Sequence, residues 1–317
     1  MKKVLGIDIG GMSMKFAVVN ENGEVISNVG RFETIREVQE ATALKLGRAV
    51  KNFLQDEGFD INEITGIGIG CPGTIDSANG VVNYANNLAW EKLALCEIIE
   101  KETGLPARVT NDANAAALGE AKFGAAKDYK FSVMLTLGTG VGGGIIIDGN
   151  LYEGNKSCAG ELGHIVIDNN SPIQCTCGRY GCFEVYASAT ALIRQTKEAM
   201  QADSKSFMWK LVGGDINKVN GKTAFDGKEM GDVTAIKVVD KYIEYLGTGV
   251  LNYCNILRPE VIIFSGGIAN QGDNLLNPLR KFCEEHVWGY DKTPAVELRI
   301  ATLGYNSGII GAASLFL

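Results

Sequence analysis

VLGIDIGGMSMKFAVVNENGEV, residues 4–25, returns in altered form as VMLTLGTGVGGGIIIDGNLYEG at residues 133–154. Each copy reads as a β-branched strand, a glycine turn, a second strand and a reverse turn built from Asn, Asp and Gly. The repeat implies two related lobes, each opening with a β-hairpin whose turn faces a common cleft. Further strands are expected at Gly66–Gly70, Ala107–Thr110, Val261–Ser265 and Leu298–Ala301. Helical periodicity marks 41–57, 91–103, 113–123, 185–200, 233–256, 275–288 and 306–316. Strands alternating with helices indicate an α/β architecture. Residues 203–231 are weakly periodic, with MWKLV as a short helix. Without a low-complexity linker, the hinge is expected near residues 112–125.

Composition sets the outer limits. A chain of 317 residues with 46% hydrophobic and 21% charged content can bury a large core in two lobes. A net charge of −7 lacks the basic face that nucleic acid demands. Asp8 interrupts the apolar run that follows Lys2 and Lys3, which leaves no secretory hydrophobic region. The longest uncharged stretch, Phe131 to Ile147, is dense in glycine and reads as two strands around a turn, not a membrane helix. The expectation is a soluble, cytoplasmic protein with no nucleic-acid or membrane partner.

Metal chemistry concentrates in ELGHIVIDNNSPIQCTCGRYGCFE, residues 161–184. His164, Cys175, Cys177 and Cys182 have the spacing of a closed Cys3His zinc site, whose four filled positions leave no room for a reactive water. The metal is therefore expected to be structural, aiming nearby Glu161 and Glu184 at one cleft. Reduced core thiols and a disulfide are the competing readings. Three cysteines within eight residues of a glycine-rich loop argue against the first, and eight irregularly spaced cysteines in one long chain against the second. Cys71, Cys96, Cys158, Cys254 and Cys283 read as buried thiols.

Three familiar glycine labels fail. GTGVGG at 138–143 and GIGCPG at 68–73 match a dinucleotide fingerprint in spacing, but a strand follows the first and a turn the second, where that fingerprint must open a helix. GKT at 221–223 lacks the first P-loop glycine, since Ile216 stands there. What remains is a pair of phosphate-binding turns. Gly10 and Gly11 offer backbone amides unobstructed by side chains, with Lys15 for charge; Thr139 and Gly140 offer the counterpart on the other lobe. Asp8, at a strand end, is positioned to hold Mg²⁺ through water. Either turn alone is equally well a tight hairpin without a ligand. With SGGI at 265–268, including Gly266 and Gly267, between a strand and a helix, the set points to a nucleotide.

DIGG at 8–11, CPG at 71–73, NDANAAALGE at 111–120, LGTGVGGG at 137–144, ELGH at 161–164, CTCGRYGC at 175–182 and SGGI at 265–268 together resemble the ROK family of sugar kinases and repressors, over the whole chain. The resemblance implies an actin/hexokinase-like duplicated two-lobe fold with the ribonuclease H-like motif. It implies a small lobe over residues 1–115, with the helix at about 305–317 packing back on it, and a large lobe over 116–304 carrying the zinc loop. It further implies ATP and Mg²⁺ between the lobes, a hexose as phosphoryl acceptor, a role in carbohydrate metabolism such as glycolysis, and a homodimer or tetramer. Repressors of the family carry a helix-turn-helix before the DIGG strand. This chain begins at that strand, which favours the kinase branch.

By the same resemblance Asp112 is the general base that accepts the sugar hydroxyl proton, although a carboxylate between a strand and a helix start reads first as a helix cap. Asn111, Glu161, His164 and Glu184 line the sugar pocket, joined by Gly73 and one of Asn86 or Asn87. His164 would bind zinc through one ring nitrogen and offer the other to the sugar. Met12 stands where the family often has threonine, removing one hydroxyl near the phosphates. Glucokinase activity, giving glucose 6-phosphate, is the expectation by family frequency. N-acetylmannosamine, allose, fructose or β-glucoside kinase activity, or a non-catalytic sugar sensor, are the alternatives.

Overall fold

The computed structural model describes residues 2–34 and 38–317. The first half of the chain runs β1 (Lys3–Ile9), β2 (Ser13–Asn20), β3 (Gly30–Glu33), α1 (Gln39–Asp56), β4 (Ile64–Cys71), β5 (Thr74–Asp76), β6 (Val81–Ala85), β7 (Trp90–Leu93), α2 (Leu95–Thr103), β8 (Ala107–Asn111) and α3 (Asp112–Phe123). The second runs β9 (Ser132–Leu137), β10 (Val141–Ile147), β11 (Asn150–Leu151), α4 (Glu184–Ala187), α5 (Ala189–Ala202), α6 (Met208–Leu211), α7 (Thr223–Glu229), α8 (Val233–Leu257), β12 (Val261–Ser265), α9 (Asp273–His286), β13 (Glu297–Ile300) and α10 (Ser307–Ala313).

The repeat seen in the sequence is a repeat of topology. One five-stranded sheet has the order β3-β2-β1-β4-β8 and the other β11-β10-β9-β12-β13. In the first, a β1–β2–β3 meander is antiparallel and β4 and β8 join in parallel. In the second, β12 pairs in parallel with both β9 and β13. Parallel pairing requires crossovers, and α1, α2, α8 and α9 supply them. The architecture is α/β, with helices between parallel strands and one duplicated sheet order.

The chain forms two compact units. One contains the residues up to Lys130, Gly144–Gly160 and Thr302–Leu317; the other contains Phe131–Gly143 and Glu161–Ala301. The boundary expected at 115/116, and the hinge expected at 112–125, fall inside or just past α3. That helix is continuous to Phe123, is buried at every position from Ala113 to Ala121 and lies wholly in the first unit.

Strand alternation sorts the faces of the first sheet. Leu5, Ile7 and Ile9 of β1 join a core with Ala43, Leu46 and Val50 of α1 and Leu95 and Ile99 of α2. Val4 faces the other way, toward Ile309 and Ala313 of α10. Here α10 lies almost on the backbone: a Cβ on Gly6 would come within 2.1 Å of the Ile309 carbonyl oxygen, and one on Gly68 within 1.8 Å of the Ala312 carbonyl oxygen. The C-terminal helix thus packs on the first sheet, through glycines in two of its central strands.

Some expectations needed correction. Residues 91–93 are strand, not helix: β5, β6 and β7 make a small antiparallel sheet that buries Trp90, and helix begins only at Leu95. The helix expected over 185–200 is broken at Ser188, which caps α5 by accepting from the Ala191 amide. Cys158 is exposed, whereas Cys71, Cys96, Cys254 and Cys283 are buried as expected. No helix among the described residues is long and apolar enough to cross a membrane.

Candidate active site

In the first unit the site gathers at the ends of β1, β4 and β8. Asn111 ends β8 in extended conformation, and its Oδ1 accepts from the Ala113 amide at 2.9 Å and the Asn114 amide at 3.4 Å. The cap of α3 is therefore Asn111, and Asp112 is the first helical residue with an exposed side chain. Asn111 also donates from Nδ2 to the Gly73 carbonyl at 3.0 Å, bringing two expected sugar ligands together. Gly73 sits at φ +106°, and a Cβ there would meet the Tyr84 carbonyl oxygen at 2.2 Å, so the CPG turn accepts only glycine. Asn86 and Asn87 begin the exposed turn after β6, where the Asn86 amide oxygen accepts from Tyr84 Oη at 3.1 Å. Cys71, paired with Asn111 across the strands, is held protonated by burial first and by the Asp112 charge second.

Asp8 and Lys15 are directly opposed in the β1–β2 hairpin. Burial pushes the Asp8 carboxyl above its usual range, and Lys15 only partly offsets this. A buried carboxylate short of positive charge suits a hard cation, whose arrival would reverse that cost. The turn itself differs from expectation. The Gly10 amide donates to the Ser13 carbonyl at 3.1 Å and closes the turn, so it is not available to a phosphate. Thr34, unremarked in the sequence, donates its hydroxyl to the Gly10 carbonyl at 2.8 Å, and its amide donates to the Met12 carbonyl at 3.2 Å. Met12 itself is 82% exposed at the tip, beside Gly11. Lys15 Nζ stands 3.9 Å from the centroid of the Tyr305 ring, whose hydroxyl accepts from Arg31 at 2.8 Å; Lys15 and Arg31 pull that phenol below its usual range.

In the second unit the turn Gly138–Val141 closes through the Gly138 amide, which donates to the Gly140 carbonyl at 3.0 Å, and is also held from outside. Ala189 donates its amide to the Gly138 carbonyl, Gly142 donates to Thr136 Oγ1 at 3.1 Å, and Val141 donates to Glu184 Oε2 at 2.9 Å. The amides of Thr139 and Gly140 make no such bond among the described residues. Because β9 and β12 are parallel and Thr136 pairs with Ser265, Gly266 and Gly267 lie beside this turn, at the carboxyl ends of the strands where α/β folds bind ligands. Both expected phosphate-binding segments of this unit are thus brought together.

Glu161 precedes, and His164 ends, the turn Leu162–His164. Tyr253 fixes it by donating its hydroxyl to the Leu162 carbonyl. A Cβ on Gly163 would come within 2.1 Å of the Val141 carbonyl oxygen, so this turn packs directly on the glycine turn. His164 Nδ1 faces Cys175 Sγ at 3.6 Å, Cys177 Sγ faces Cys182 Sγ at 3.6 Å, and the four potential ligand atoms lie within 4.8 Å of one another. A tetrahedral ion with bonds of about 2.3 Å sets sulfur atoms about 3.8 Å apart, so the donor set fits zinc. A disulfide is excluded, since its sulfurs would be about 2.05 Å apart and all eight cysteines are free. The second ring nitrogen, Nε2, points to Glu161 Oε2 at 4.0 Å. Burial opposes ionisation of Cys177, but hydrogen bonds from Arg179 and the neighbouring thiols bring it down to about 7. Glu184 joins the parts: Oε2 holds Val141, while Oε1 accepts from Thr176 Oγ1 at 3.2 Å and lies 3.5 Å from Cys175 Sγ. The sequence marked Glu184 for the sugar alone; its tie to the glycine turn crosses more than forty residues and leaves no local signal.

The ROK family model matches residues 4–317. A glucokinase from Thermotoga maritima is 35% identical over 314 residues, covering 99% of this chain and 96% of that protein. The crystal structure of a ROK family glucokinase from Streptomyces griseus, in complex with glucose and AMPPNP, superposes with a TM-score of 0.81 at 33% identity, covering 99% of this chain and 98% of that one. A ROK family transcriptional regulator, a homolog of the E. coli MLC protein, superposes with a TM-score of 0.85 at 29% identity, covering 99% of this chain and 77% of the regulator.

Proposed function

Because the chain belongs to the ROK family, we propose that it is an ATP-dependent sugar kinase, and specifically a glucokinase that converts glucose and ATP to glucose 6-phosphate and ADP. Likeness to glucokinases over the full length of both proteins supports the reading. The observation that carries it is the division of labour at the start of α3. Asn111 caps the helix, and Asp112, whose Oδ1 also accepts from the Ala113 amide at 2.9 Å, lies exposed in the first turn, where the reading makes it the base.

As the sugar 6-oxygen bonds to the γ-phosphorus, Asp112 takes its proton, and the bond from phosphorus to the ADP oxygen breaks. A carboxylate of ordinary basicity suffices, because the hydroxyl becomes acidic only as phosphorus draws on its oxygen. Glu161, Glu184, Asn111 and His164 Nε2 would accept from or donate to the remaining sugar hydroxyls, with Gly73 and Asn86 or Asn87 at the edge. The amides of Thr139 and Gly140, and the turn at Gly266–Gly267, would receive the phosphates. Asp8 would hold Mg²⁺, with Lys15 beside it; bound, the ion would neutralise charge spreading over the phosphoryl oxygens. His164, Cys175, Cys177 and Cys182 would hold structural Zn²⁺, which fixes the His164 ring.

A coupled assay with ATP, Mg²⁺ and a panel of glucose, N-acetylmannosamine, allose, fructose and a β-glucoside tests the reading, the highest kcat/KM being expected on glucose. Sugar binding without turnover on any of them would favour the second reading, a sugar sensor, for which the likeness to the transcriptional regulator speaks. Elemental analysis is expected to find one zinc per chain. The proposal includes a cytoplasmic dimer or tetramer, which light scattering would count.

A further inference from the structure

Glu153 follows β11 in the first unit and has no part in the chemistry assigned above. Its Oε1 accepts two hydroxyl hydrogen bonds at once, from Ser77 Oγ at 2.7 Å and from Thr110 Oγ1 at 2.7 Å. The donors belong to separate elements. Ser77 follows β5, while Thr110 lies in β8 immediately before Asn111 and Asp112. Thr110 is 0% exposed, so its hydroxyl cannot exchange this partner for bulk water.

The backbone of the same residue anchors a loop. The Glu153 carbonyl accepts from the Ala159 amide at 2.9 Å, and Ser157 Oγ accepts from the Ser77 amide at 3.3 Å. Between these ties Lys156 and Ser157 sit at φ +51° and +56°, a left-handed conformation that side chains rarely adopt and that the surroundings must hold. On the other side, Asn111 ties the next residue of β8 to Gly73 at the start of the same β5–β6 hairpin. The strand end bearing Asp112 is therefore fastened to that hairpin twice, once directly and once through Glu153.

The geometry points to Glu153 as a positioning residue that fixes the end of β8, and with it Asp112, through its hydrogen bond to Thr110. This rests on the kinase reading for its kinetic part only. One oxygen does the accepting, so a neutral acceptor should serve as well as a charged one. Truncation should leave the fold intact, because Glu153 is half-buried on the wall of a cavity of about 690 Å³ from which water can reach Ser77.

The test compares Glu153→Ala, Glu153→Gln, Thr110→Val and the double variant Glu153→Ala with Thr110→Val. Hydrogen exchange by mass spectrometry over residues 110–114 is expected to rise in Glu153→Ala and Thr110→Val and to match wild type in Glu153→Gln. The two truncations should lower kcat by about 10- to 100-fold with KM for ATP within about twofold, and the double variant should be no worse than either alone. Glu153→Gln should recover kcat to within about threefold of wild type. Wild-type exchange in Glu153→Ala, a Gln variant as damaged as the Ala variant, or effects that multiply in the double variant would each overturn the assignment. If wild type phosphorylates no sugar, the kinase reading fails, while the exchange comparison still decides whether Glu153 holds the strand end.

Discussion

The glycine turns that open the two sheets come from one sequence pattern and are braced differently. Both close on themselves, Gly10 donating its amide to the Ser13 carbonyl and Gly138 to the Gly140 carbonyl, and the first is pinned by the Thr34 hydroxyl. Gly138–Val141 is held by Glu184 and Ala189, and the amides of Thr139 and Gly140 make no backbone bond among the described residues. The first turn therefore presents side chains, Asp8 and Lys15; the second presents backbone. A duplicated hairpin has thus yielded a charged version in one unit and an amide version in the other.

Four substitutions test that contrast. Asp112→Asn, in the first unit, should lower kcat by about 10³-fold, with sugar affinity by calorimetry within about threefold of wild type; retained activity would remove Asp112 as the base. Asp8→Asn should lower kcat about 10- to 100-fold at saturating Mg²⁺, while raising Tm at neutral pH. The sign follows from burial: a carboxyl raised above its unfolded pKa of 3.8 costs stability when ionised, so the Tm gain should shrink as pH falls through the folded value. A Tm that drops at pH 7 would contradict this. Glu184→Ala, in the second unit, removes the brace and should raise KM for ATP by roughly 5- to 150-fold, the equivalent of about 1–3 kcal/mol, in steady-state kinetics. An unchanged KM for ATP would show that the turn stands without it. Smallest is Thr34→Val, which should cost about 1 kcal/mol in urea unfolding and leave kcat within about twofold; a larger kinetic loss would mean the first turn depends on outside bracing as the second does.

The main strands were legible because β-branched runs ending in glycine turns have few other readings. The helices α1 and α8 were legible because their apolar stripes are long, and α3 because it is an alanine-rich run, buried at every position from Ala113 to Ala121. Short elements misled. In WEKLALCEIIE the helical spacing of α2 extends back over β7, and only tertiary pairing with β6, with Lys92 at φ +52°, makes those residues strand. Within the site, the cluster of His164 with Cys175, Cys177 and Cys182 was legible from spacing, since three of its residues are local. Thr34, Thr176 and Glu153 were not, because a single hydroxyl or carboxylate reveals its partner only when distant chain segments meet. Gly10 shows the converse: a sequence reveals that an amide is unobstructed, not whether the turn has already used it.

Residues 302–317 belong to the first unit, and α10 seats on the backbone of β1 and β4 at Gly6 and Gly68. On the ribosome, then, the first sheet cannot cover its second face until residues 302–317 have been made. Its apolar side must wait in the open while the other unit is made, exposed to aggregation. The loop to be closed runs from β1 to α10, a separation that slows folding far more than it weakens the finished protein.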